Sequence, residues 1–136
     1  MYKKILVPVV LDHEPNIGTA LDVAHALLDE GGSITLFHVM EDVPGYIVAQ
    51  LPDGIMQQNL DELDAKLTAI AKSAGHHVKS VVVSGHASRA ILDRVDDTDT
   101  DCVIIASHRP GLQDYLLGST AARVVRHAPC SVHVIR

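Results

Sequence analysis

Gly118, Ser119 and Thr120 follow an apolar run and a short polar loop, and they stand immediately before an amphipathic stretch. Residues of these types in this order can bind an anion. Backbone N–H groups at a helix N-terminus point outward along the helix dipole, a glycine lets a ligand come close to the chain, and two hydroxyls add further hydrogen bonds. The same triplet also serves as a plain helix cap, so type and spacing leave both readings open. Upstream, Ala106, Ser107, His108 and Arg109 end the apolar run and begin the loop. Arg109 carries a forked donor set suited to phosphate; a solvated surface arginine is the alternative. Ser107, His108 and Asp114 have the side-chain types of a hydrolytic triad. However, adjacent residues at a strand end diverge, and no G-x-S-x-G turn presents a nucleophile, so no catalytic residue is assigned. Nor is there a G-x-G-x-x-G after the first apolar run or a G-x-x-x-x-G-K-[ST] anywhere, which argues against a dinucleotide fold and a P-loop enzyme. Among nine histidines, His76 and His77 are adjacent. Neighbours point different ways and no third ligand is spaced to complete a metal site, so they read as solvating a connection. His38 and His86 sit at or just after strand ends, where each either lines a pocket or caps backbone groups. His133, in the last apolar run, reads as a surface residue.

Such groups act together only if secondary structure brings them together. Short runs rich in Ile and Val predict strands at Lys4–Val9, Ser33–Val39, Val78–Ser84, Asp101–Ala106 and Ser131–Arg136. Between them lie helical stripes. Ala20, Ala24, Leu27 and Leu28 form the first, with Glu30–Gly32 as its stop. A second begins near Pro52–Gly54 and places Met56, Leu60, Leu63, Leu67, Ile70 and Ala71 on one face, with Asp61, Glu62 and Asp64 outside it. Ser88 is the expected N-cap of a third, which packs Ile91, Leu92 and Val95. Ala121, Val124, Val125 and Ala128 make the stripe of a fourth, ended by Pro129. Met40–Gly54 is the longest irregular connection. Strands alternating with helices predict a single doubly wound α/β domain over residues 1–136, with a parallel sheet covered by helices on both faces. In such folds ligands sit outside the carboxyl ends of the strands, where the strand order reverses. The Ala106–Thr120 stretch begins at such an end.

Composition narrows the function classes. The chain has 136 residues, 47 % of them hydrophobic, with no Trp and one Phe, so an aliphatic core is expected. A formal charge of −6 with scattered basic residues argues against general nucleic-acid binding, which draws on clustered Lys and Arg. Cys102 and Cys130 lack metal-ligand or redox spacing, and Cys102 lies in an apolar run as a small buried thiol. No stretch reaches the roughly 18 apolar residues of a membrane span, and "MYKK" runs directly into "ILVPVV" without a signal pattern. A cytoplasmic protein with no membrane partner is the expectation.

Several quoted stretches together resemble the universal stress protein family: "YKKILVPV", the "GH" of Gly85 and His86, "DCVIIASHRPG" and "LLGSTAARVVRHAPCSVHVIR". The match in order and spacing covers nearly the whole chain. The resemblance implies a five-stranded parallel sheet in the order 3-2-1-4-5, and a homodimer made through the last strand, Ser131 to Ile135. It also implies an adenine nucleotide (ATP, ADP or AMP, with or without magnesium) between the ends of strands one and four. ATP-binding members carry G-x2-G-x9-G-[ST]; here Gly118 and Ser119 keep its right half, while Ala106 replaces the first glycine and Arg109–Pro110 the second, in a loop one residue shorter. The "SHRP" loop is similar to a branch in which nucleotide binding persists. Relatives also place an acid two residues after the first strand's proline, where this chain reads Pro8, Val9, Val10; Asp12 is the nearest acid. The implied nucleotide-binding set is therefore Pro8, Val9, Val10, Asp12, His38, Val39, Ala106, Ser107, His108, Arg109, Gly118, Ser119 and Thr120. Three classes stand side by side: a nucleotide-binding stress or signalling module without an efficient reaction, a non-binding dimeric interaction protein of the same fold, and an enzyme acting on the nucleotide's α-phosphate. "LDHEP" stands where the last would need a Ser-Gly-Gly-rich loop.

Overall fold

A computed structural model describes residues 1–11, 14–107 and 117–136, with side chains from residue 17 onward in the first helix. The elements run β1 (Tyr2–Pro8), α1 (Glu14–Leu27), β2 (Leu28–Glu41), α2 (Gly45–Val48), α3 (Ile55–Ala74), β3 (Val78–Gly85), α4 (Ala87–Thr98), β4 (Cys102–Ala106), α5 (Ser119–His127) and β5 (Ser131–Ile135). All five strands are parallel in the order β3-β2-β1-β4-β5, as the resemblance implies. The strands read as unbroken apolar runs because both faces are covered. Ile5, Val7, Ile34, Leu36, Cys102 and Ile104 pack with Ala20 and Ala24 of α1 and Leu67 and Ala71 of α3. The alternate residues Leu6, Phe37, Val103 and Ile105 pack with Ile91 and Val95 of α4 and Ala121 and Val124 of α5. Each strand thus serves two cores by the two-residue alternation of its side chains.

Local expectations fail in four places. The Glu30–Gly32 stretch does not merely stop α1; it lies inside β2, where the register jumps from Tyr2↔Leu28 to Lys4↔Ser33 and the extra residues form a bulge. Gly31 adopts φ 81°, and a Cβ on Gly32 would lie 2.8 Å from the Lys3 carbonyl oxygen, so the glycines serve the bulge. Ser88 is not the cap of α4. His86 holds that position, and Ser88 is buried in the first turn with its hydroxyl 3.2 Å from His86 Nδ1. Val125 is exposed, whereas Ala121 and Val124 are buried in the core and Ala128 packs against it. The Met40–Gly54 connection contains the short helix α2.

One feature of β1 opens the sheet. Val9 N–H donates to Phe37 O on β2, and Asp101 N–H donates to Lys4 O, so odd residues of β1 bond toward β2 and even ones toward β4. Pro8 falls on the β4 side and has no N–H to give. Accordingly β1 stays paired with β2 through Pro8↔Phe37, whereas its register with β4 extends only to Leu6↔Val103. Beyond Leu6 the two central strands part.

Candidate functional site

The parting strands leave a cleft of about 250 Å³ at the carboxyl end of the sheet. Pro8, Val9 and Val10 form one side, His38, Val39 and Glu41 come from the end of β2, Ala106 and Ser107 from the end of β4, and Gly118, Ser119 and Thr120 from the start of α5. This is the crevice expected where strand order reverses, with β1 and β4 leading to neighbours on opposite sides. Val9 is buried in the core, while Val10 is half-buried and lines the cleft.

Each wall is held by backbone bonds. His38 Nδ1 lies 2.9 Å from Val9 O; a carbonyl only accepts, so the ring must carry its proton on Nδ1, and the neutral ring keeps Nε2 as an acceptor. The bond ties the end of β1 to β2. Ser107 is buried, its N–H donates to Ile135 O at 2.8 Å, and its carbonyl accepts from Gly118 N–H. The end of β4 is thereby joined to both β5 and α5. The N–H of Gly118 is not free, because it donates to the Ser107 carbonyl. The outward donors are instead those of Ser119, Thr120 and Ala121, the first turn of a helix whose N-cap glycine supplies no capping side chain. Gly118 itself is extended at φ −60°, ψ 152°, a conformation open to any residue. A terminus with uncapped donors and the Ser119 and Thr120 hydroxyls beside it can hold an anion.

Of the residues picked from the sequence, Asp12, His108 and Arg109 lie outside the described residues, as does Asp114. His86 does not line the cleft; it stands at the N-cap position of α4 without a side-chain capping bond, its Nδ1 3.2 Å from the Ser88 hydroxyl. Glu41, Ala87, Ile91 and Ile135 line it and were missed. Only Glu41, three residues beyond His38 at the end of the same apolar run, left a signal that could have been read. His76 and His77 lie at the opposite end of the sheet, in a chain of edge-to-face rings with His25: centroids are 4.8 Å apart for His25–His77 and 5.4 Å for His76–His77. Among the described residues no group of three or more His, Cys, Asp or Glu side chains is arranged to hold a metal ion. The thiols are held in their protonated form. Burial, then the neighbouring Cys130 and Asp101, pushes Cys102 up to about 11, and burial raises Cys130 as well. Cys102 packs in one core and Cys130 against the other, so the sheet separates the two free thiols.

The sequence model of the universal stress protein family matches residues 1–136. The chain belongs to the universal stress protein family. It is 28 % identical to universal stress protein G of Salmonella typhimurium, over 100 % of both chains. The solved structure of hypothetical protein MJ0577 superposes on it with a TM-score of 0.81 at 27 % identity, covering 99 % of this universal stress protein and 96 % of that chain. Two more distant family structures share the fold: one in complex with cAMP (TM-score 0.67, 17 % identity, 99 % and 97 % covered) and one from Archaeoglobus fulgidus in complex with dAMP (TM-score 0.66, 18 % identity, 99 % and 98 % covered).

Proposed function

We propose that this universal stress protein binds an adenine nucleotide in the cleft between β1 and β4, and acts as a dimeric stress-response or signalling module rather than as an enzyme. The observation that carries the reading is the α5 N-terminus, capped only by a glycine, facing the cleft at the point where Pro8 forces β1 and β4 apart. The donor set suits phosphate: backbone N–H groups of the first turn, two hydroxyls and the positive end of a helix dipole. Pro8, Val9, Val10, Val39 and Ala106 give the nucleoside an apolar wall. Asp12, His108 and Arg109 belong to the proposed set by the family resemblance alone. The structures with cAMP and dAMP support the choice of an adenine ligand within this fold. For the dimer, support comes from β5, an edge strand ending in Val134 and Ile135: pairing it with a second copy covers both edges at once. Light scattering should then give twice the chain mass.

Calorimetry with ATP tests the site. Wild type should bind in the micromolar to submillimolar range. Gly118→Glu should weaken ATP by about a hundred-fold or more, because a carboxylate there meets the phosphates and adds bulk. Its melting temperature should hold, since the backbone at Gly118 suits any residue and an acid favours a helix N-terminus. Unchanged affinity in the folded variant would move the site elsewhere. Absence of binding in wild type would favour the interaction protein, a reading consistent with valine at position 10 and alanine at position 106.

A further inference from the structure

Among the described residues that line the cleft, Glu41 is the only one with a formal charge. It ends β2, where Glu41 is in register with Gly85 and Asp42 N–H donates to Gly85 O at 3.3 Å, so its backbone is held by the sheet rather than by a loose loop. Its side chain is exposed. Among the described residues, no cation or hydrogen-bond donor is paired with its carboxylate. It shares β2's end with His38, whose Nδ1–H is committed to Val9 O. Both groups therefore present acceptors: an ionised carboxylate has no hydrogen to give, and the neutral imidazole keeps only its Nε2 lone pair. The far wall, α5, presents donors and the positive end of a dipole.

We propose that Glu41 is the specificity residue of the cleft: it accepts a hydrogen bond from an N–H or O–H donor at the nucleoside end of the ligand and so takes over the task for which Val10 has no polar atom. This rests on the nucleotide reading. The polarity of the two walls orients the ligand, because phosphates are repelled from a carboxylate and drawn to the helix terminus. What meets Glu41 is then the uncharged part of the molecule, and an acceptor-only wall selects a donor there. Adenosine offers two such sources, the exocyclic amine of the base and the ribose hydroxyls. Inosine replaces the amine with a carbonyl, which would face the carboxylate acceptor to acceptor.

The test is calorimetry of wild type, Glu41→Ala and Glu41→Gln with ATP, ITP and 2′,3′-dideoxy-ATP, with thermal melts to establish folding. A hydrogen bond to a charged group corresponds to about ten- to a hundred-fold in affinity, so Glu41→Ala should weaken ATP by about ten-fold or more, with Glu41→Gln between it and wild type. If the donor is the amine, wild type discriminates against ITP and Glu41→Ala does not. If it is the ribose, the lost discrimination is against dideoxy-ATP. Either pattern supports the assignment and names the source. Folded Glu41→Ala that binds all three ligands as wild type does would overturn it while leaving the nucleotide reading standing, whereas wild type that binds none of them overturns both.

Discussion

At the amino end of the sheet the strand starts are tied to one another by side chains, and at the carboxyl end the two central strands are left apart. Asp101, just before β4, accepts from the backbone N–H groups of Lys3 at 2.9 Å and Lys4 at 3.0 Å, while its own N–H donates to Lys4 O at 3.0 Å. Lys4 Nζ donates to Thr98 O at 3.2 Å, and the Met1 ammonium bonds Leu27 O and pairs with Asp29. The other end has Pro8 in place of a donor and Val10 in place of an acid. A parallel sheet has two open ends whose backbone groups need partners. Here side chains close one end, and at the other the first-turn donors of α5 have no capping side chain from Gly118.

The comparison can be broken most directly at the tied end. Asp101→Ala removes a charged acceptor from two backbone N–H groups, and with that carboxylate half-exposed the expected loss is about 2 kcal/mol, or roughly 6–8 °C in melting temperature. ATP affinity should not move, since no atom of the cleft is touched. A melting temperature equal to wild type would show that the clamp contributes nothing and that the two ends differ only in appearance.

The open end should respond in the opposite way, in affinity and not in stability. Val10 is half-buried on the cleft wall, in contrast to the buried Val9, so Val10→Asp should add an acceptor at the end of β1 and tighten ATP by about ten-fold, roughly 1.4 kcal/mol. The melting temperature should stay near normal. A loss of several kcal/mol, read by the same melts, would mean that position 10 behaves as core and that a carboxylate there is buried unpaired.

The smallest effect concerns protons at the tied end. Burial, and then the charges of His25 and His76, hold His77 below the ordinary histidine value of 6.5. A lowered folded-state value means that the unfolded chain takes up the proton first. The stability it confers is therefore full above about pH 6.5 and is lost as pH falls below that, toward the lowered folded value. Melting temperature should decline between pH 7.5 and 5.5, and His77→Gln should make the decline shallower. The residue is only half-buried, so the change is the least of the three; a parallel decline in both proteins would remove His77 from the account.

How much of this was legible beforehand depends on the range over which each feature is decided. Ile and Val runs located the centres of all five strands, and the leucine stripe from Met56 to Ala71 located α3, because burial on one face or two leaves a period in neighbouring residues. Pro8 and the Gly118–Thr120 triplet were visible as residue types. The cap of α4 was misplaced, since Ser88 and His86 are both polar and near the right point, and only the packing of Ser88 under the helix distinguishes them. The bulge in β2 was read as a helix stop, because Gly31 and Gly32 suit either and the deciding contact, Lys3 O, is far away in sequence. The strand order was legible only by resemblance.

By itself, then, the sequence determined the alternation of strands and helices, the two-sided aliphatic core, the absence of a donor at Pro8 and the presence of a glycine-started last helix. Those are properties of neighbouring residues, set by side-chain chemistry and period. The tertiary structure alone decided that Pro8 faces β4 and so opens the sheet there, that Gly118 donates its N–H to Ser107, that on the cleft wall Val10 is half-buried where Val9 is buried, and that Glu41 shares a cleft with α5. The physical reason is the parallel crossover. Each strand end is brought to the cleft from a different part of the chain, so which groups face each other there is settled by the register of five strands, which no local pattern of residues encodes.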